Sequence, residues 1–168
     1  MNSWFIIAIT ALFVVGVIGE YFFKRMLKKD QYHSEFEALK IEYTRSNNLA
    51  KNELFGNVID RAEEWLINEQ MDNIKNPNFK SDVKLAFAVA ILNALESFAE
   101  NKRGQERNDN EKNLVLELTL VGQDIANELY KSGYISLEMV GNIEKDITNA
   151  GMKALSGVTM EELFNREK

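Results

Sequence analysis

The 168-residue sequence has no cysteine, one histidine and one proline. Without cysteine there can be no disulfide scaffold, thiolate nucleophile or Cys-based zinc site. A single histidine, His33, excludes His-rich metal centres as well. One proline and nine glycines leave little turn-forming material for a fold of many short strands. No GxSxG elbow, P-loop or GxGxxG turn occurs, which removes the common nucleophile and phosphate-cradling motifs. These absences point to a mostly helical, all-α chain.

The most conspicuous feature present is an uncharged apolar run from Trp4 to Gly19, interrupted at Glu20 and extended by Tyr21, Phe22 and Phe23. A spanning helix needs about 20 mainly apolar residues to cross about 30 Å of hydrocarbon. Residues 4–23, with Phe13 at their centre, meet that length and predict one amino-terminal transmembrane helix. Met1, Asn2 and Ser3 bring no side-chain charge, and no small-x-small cleavage site follows, so an uncleaved anchor is expected over a signal peptide. Lys24, Arg25, Lys28 and Lys29 follow directly. By the positive-inside rule they place the amino terminus outside and the rest in the cytoplasm, with Trp4 in the outer interface and Tyr21 in the inner one. Glu20 stands four residues before Lys24, a spacing at which the two pair on a helix.

Charge divides along the same line. Residues 1–29 carry a net +3 and residues 30–168 a net −9. So acidic a body is unsuited to neutralising nucleic-acid phosphates, and no nucleic-acid partner is expected. It should also be repelled by an anionic leaflet that attracts the collar, and so stand off the bilayer.

Beyond the 1–29 anchor and collar, the periodicity predicts a helical stalk over 30–53 and a helical bundle over 54–168. In the stalk, Phe36, Leu39 and Tyr43 form a stripe that fades after residue 45. Leu54, Phe55, Val58, Ile59, Ala62, Trp65 and Leu66 make one wide apolar face of a helix ending near Asn73. In that reading Trp65 is a core anchor against Phe87, Ile91 and Leu95. Ser81 or Asp82 can cap a following helix whose stretch 83–99 is apolar nearly all round, as in a helix buried on several sides. Residues 100–113 contain no large apolar residue and are expected to form a flexible loop. Leu114, Leu118, Val121, Ile125 and Leu129 define the next helix, closed by Gly133 as its C′ residue. Ser136 caps another helix with Val140, Ile143, Ile147 and Leu155 on one face. Thr159 and Glu162 form a capping box for a short last helix.

No catalytic constellation stands out. Asp30, His33 and Glu37 could share a helix face and hold a metal loosely, but one histidine among acids is ordinarily solvated surface. Adjacent acids such as Glu63 and Glu64 fan apart on a helix and cannot flank one substrate. No metal or cofactor is therefore expected. The leading expectation is a non-enzymatic, single-pass membrane protein that presents a cytoplasmic helical module to protein partners or to copies of itself. Its partners would be the lipid bilayer and those proteins.

The segment Gly133-Tyr134-Ile135-Ser136-Leu137-Glu138-Met139-Val140-Gly141-Asn142-Ile143 and on to Ile147 resembles the carboxy-terminal helix of LLH-type phage holins. The likeness covers about a tenth of the chain, rests on a cap-plus-amphipathic pattern, and does not assign the chain to that family. The alternative function is holin-like membrane permeabilisation, in which the chain oligomerises through its span and inserts the 83–99 helix, whose apolarity nearly all round would suit a bilayer as well as a bundle.

Overall fold

A computed structural model describes the backbone of residues 3–45 and 48–156, and the side chains from residue 14 onward. Five helices follow one another: α1 (Ser3–Thr44), α2 (Leu49–Trp65), α3 (Phe79–Asn101), α4 (Asp109–Lys131) and α5 (Leu137–Ser156). No strand occurs among the described residues, and the fold is an all-α bundle.

Successive helices run antiparallel, as cross-links between them record. Lys40 pairs with Asp60 at 2.8 Å and Arg25 with Asp72 at 3.1 Å, matching rising numbers on α1 with falling ones on α2 and the turn that follows it. Lys102 meets Glu111 at 2.7 Å between α3 and α4. Asn127 meets Glu144 at 2.6 Å and Gln123 meets Thr148 at 2.9 Å between α4 and α5. The α2–α3 and α4–α5 turns therefore share one end, the base. The α1–α2 and α3–α4 connections lie at the far end.

The 83–99 stretch forms the centre of this arrangement. α3 packs against all four other helices. Val83, Ala86, Phe87, Ala88, Ile91, Leu95 and Ala99 are buried, so its all-round apolarity is matched by neighbours on several sides. Two glycines admit α5. A Cβ at Gly122 would come within 2.8 Å of Ile147 and 3.2 Å of Ile91, and one at Gly151 would overlap the Thr119 hydroxyl.

Three boundaries differ from expectation. Residues 30–44 are part of the bundle and not a stalk: Tyr32, Phe36 and Leu39 are buried, and Tyr43 stacks near Phe55 and Phe87. Their 4-3-4 spacing keeps them within a narrow stripe, narrow because α1 lies at the bundle's edge and packs mainly against α2 and α3. The 100–113 loop contracts to 102–108, because Asn108 and Glu111 form a reciprocal capping box that starts α4 early. Arg107 then ties this loop to α5 by donating to the Ala154 carbonyl at 2.7 Å. At the start of α3 the cap is Asn78, whose side chain accepts from the Ser81 N–H at 3.3 Å. Ser81 and Asp82 fall inside the first turn and are buried.

Other local expectations hold. Gly133 has φ 74° and the Tyr134 N–H donates to Leu129 C=O at 2.9 Å, a Schellman closure of α4. The Ser136 hydroxyl accepts from the Met139 N–H at 3.2 Å at the head of α5. The expected short last helix with Thr159 and Glu162 lies outside the described residues.

No helix among the described residues is long and apolar enough to cross a membrane. Residues 4–13, the first half of the expected span, fall where side chains are not described.

Candidate functional site at the base of the bundle

The base is where the expected anchor residues meet the bundle. Trp4 and Phe13 belong to the side chains that are not described. Tyr21 and Phe22 are each 58% exposed and set edge to face, 6.0 Å apart. Lys24 pairs with Glu20 at 2.6 Å, as their spacing predicted. Upstream of them α1 stands clear of the other helices: a Cβ at Gly16 or Gly19 would meet nothing within 4 Å.

Arg25 and Lys28 do something the sequence did not disclose. Arg25 Nε donates to both carboxylate oxygens of Asp72, at 3.1 and 3.2 Å. Lys28 donates through its ammonium to the Met71 carbonyl and, at 2.7 Å, to the Ile74 carbonyl. The geometry of α2 explains the demand. After Trp65 its backbone widens into one π-type turn over Leu66–Gln70, closed by Met71 N–H to Leu66 C=O at 2.7 Å. That turn buries Leu66, Ile67 and Met71, and leaves carbonyls pointing out of the helix end. A cation there satisfies them and opposes the negative end of the helix dipole.

One turn further along α1, Tyr32 donates to Asp82 Oδ2 at 2.6 Å, and Tyr134 from the α4–α5 turn donates to the other oxygen. Asp82 is 4% exposed and Tyr32 fully buried. Phe79 closes the cluster edge to face with Tyr32, 4.8 Å between rings. Burial, then the adjacent carboxylate, pushes the Tyr32 hydroxyl far above its ordinary value and the Tyr134 hydroxyl up to about 12. Both phenols keep their protons and act as donors, so the trio is a tie between α1, α3 and the α4–α5 turn and not an acid–base pair. Fifty residues separate Tyr32 from Asp82, so no local pattern could reveal the pairing. The one available signal was a tyrosine on the stripe shared with Phe36 and Leu39.

Beside the collar, α1 and α2 border an open groove of about 530 Å³ lined by Lys29, Asp30, His33, Asp60, Glu63 and Glu64. His33 Nδ1 lies 2.5 Å from Glu63 Oε1. That hydrogen bond, reinforced by the charges of Glu63, Glu37 and Asp30, raises the imidazole above its usual value. His33 thus faces across to α2 and does not gather Asp30 and Glu37 around an ion. Among the described residues no group of three or more His, Asp or Glu is placed to hold a metal.

Trp65 is not a core anchor. The buried direction of α2 runs through Phe55, Ile59, Ala62 and Leu66, and at about 100° per residue Trp65 falls about 80° to one side. It lies half-buried against Ala86, Val89 and Ala90, walling a cavity of about 110 Å³. Phe87, Ile91 and Leu95 fill the interior without it. No known protein family, no curated protein and no solved structure matches the chain.

Proposed function

We propose that this chain is a single-pass, membrane-anchored helical module, non-enzymatic, with its amino terminus outside. Its cytoplasmic bundle presents a surface to protein partners or to further copies of the chain. One observation carries the reading. Val14, Val15, Val17, Ile18, Tyr21, Phe22 and Phe23 are 48–67% exposed and point in every direction around a helix that has left the bundle. So much apolar surface on all sides of a single helix calls for an apolar surrounding, and a helix already satisfies its own backbone polar groups there. The four basic residues that follow support the orientation. For the binding role, support comes from the outer face of α4, where Leu116 and Leu120 are 47% and 59% exposed one turn apart. The buried side chains of α3 are committed to the bundle, which favours a folded module over an inserted pore.

Extraction and topology test the proposal together. The full chain expressed in bacteria should resist alkaline extraction from membranes, and a reporter fused after Lys168 should be active only in the cytoplasm. Release into the alkaline supernatant, or an external reporter signal, would overturn it.

A further inference from the structure

We infer that the base of the bundle rests on the anionic headgroups of the membrane, with Lys75, Lys80 and Lys131 extending the collar into one cationic face. The inference builds on the membrane-anchored reading and reverses the expectation that the acidic body stands away from the bilayer.

The fold brings together three segments that are distant in sequence. Arg25 and Lys28 hold the α2–α3 turn through Asp72, Met71 and Ile74. Tyr32 and Tyr134 meet on Asp82, fixing the start of α3 and the α4–α5 turn at the same end. Segments 24–32, 69–82 and 131–138 together contain seven basic and five acidic side chains, a net +2, while the remainder of the chain carries −8. Lys75, Lys80 and Lys131 are all exposed. None of them makes an ion pair among the described residues, whereas the acid Asp72 is already paired with Arg25. The far end holds no comparable excess: Lys102 and Lys112 are matched there by Glu111 and Asp109.

Distances along α1 set the reach. At about 1.5 Å per residue, the Lys28 level lies about 8 Å beyond Phe23, and the Tyr32 level about 14 Å. A headgroup layer occupies about 5–8 Å outside the hydrocarbon, so the α2–α3 turn sits in or against it. Lys80 and Lys131, near the Asp82 level, lie about one Debye length of 8 Å from it, where anionic lipid is still felt. An α1 that continues unbroken from the apolar segment into the bundle leaves no linker by which the base could retreat.

The absence of native cysteine makes the test clean. Single cysteines at exposed Asn76, in the α2–α3 turn, and at exposed Gln105, in the far loop, are labelled with a fluorophore in the full chain. The protein is reconstituted in phosphatidylcholine vesicles with and without phosphatidylserine, each doped with a headgroup quencher. Quenching at the Asn76→Cys site should exceed that at Gln105→Cys several-fold, increase with phosphatidylserine, and fall in the Lys75→Glu/Lys80→Glu/Lys131→Glu variant. Equal quenching at the two sites, or indifference to both lipid charge and the triple variant, in a protein that remains vesicle-integral would overturn this inference alone. Loss of the protein from the vesicles would overturn the membrane reading and this inference with it. If the lysines instead capture a soluble polyanion while quenching ignores lipid charge, the face serves a different partner and the inference fails.

Discussion

Tyr32 and Asp82 meet at 2.6 Å in the interior, a neutral phenol donating to a carboxylate that is 4% exposed. A buried charge is costly unless its oxygens are satisfied, and Tyr134 supplies the second donor. Replacing Tyr32 by Phe removes one charge-assisted bond, worth about 1.5–3 kcal/mol. Asp82→Ala strands two hydroxyls and should cost more than either Tyr→Phe change. Replacing all three with Asp82→Leu, Tyr32→Phe and Tyr134→Phe should recover much of the loss, because no polar group is then left unpaired. Urea unfolding of the full chain in detergent ranks these variants; an Asp82→Ala protein as stable as the parent would refute the tie.

Gly151 faces Thr119 so closely that a methyl group would overlap the threonine hydroxyl, which itself donates to the Val115 carbonyl at 2.8 Å. Gly151→Ala gains about 1 kcal/mol of helix propensity but forces overpacking that costs about 1–3 kcal/mol. The steric term should win, giving net destabilisation. Adding Thr119→Ala should reverse the sign, and thermal melting of the single and double variants checks this. A Gly151→Ala protein that melts higher on its own would contradict the close contact.

Lys28 should matter to one place more than to the whole. Lys28→Met keeps most of the apolar stem and removes the donor to Met71 and Ile74. Amide hydrogen exchange should then speed up over residues 66–78, with the α4–α5 pair unchanged. Uniform acceleration throughout, or none, would argue against a cap at the end of α2.

His33 titrates with a definite sign. Its folded-state value is raised by Glu63, so the protonated ring favours the fold below pH about 6.5, and that contribution fades as pH climbs through the folded-state value. Monitored by NMR, the ring should titrate above its ordinary value in the parent and move down in Glu63→Gln. Coincident titrations in the two proteins would dissolve the pairing.

Trp65→Ala should cost less than Phe87→Ala. The first side chain is half-buried at a groove wall, and the second is fully enclosed, where aromatic truncation costs about 3–5 kcal/mol. With Trp4→Phe as background, Trp65 emission should lie between that of buried and fully hydrated indole. Emission typical of a dry core, with a truncation cost equal to that of Phe87, would place the ring inside after all.

What could be read from sequence was local. The apolar faces of α2, α4 and α5, the glycine that ends α4 and the serine that starts α5 follow from short-range periodicity and capping, and the structure has them where the residues indicate. Trp65 went astray because its buried neighbours Val58, Ala62 and Leu66 fix a face only to within a turn's width, and an aromatic at its margin reads the same as one at its centre. The start of α4 was hidden because Asn108 and Glu111 look like loop residues until they cap each other. The base was least legible: Arg25, Lys28 and Tyr32 find partners more than forty residues away, and their chemical types suit a solvated collar equally well.

The unbroken course of α1 has a mechanical consequence. Its 42 residues form one rod about 63 Å long, with no proline and no loop between the apolar segment and Tyr32, Phe36 and Leu39. Those three side chains, together with Arg25 and Lys28, fasten the rod to the rest. A lean or a turn imposed on its amino-terminal half therefore cannot be absorbed locally. It is delivered whole to the other four helices, as a handle steers the head of a tool, and whatever grips the far end of the bundle pulls back through the same shaft.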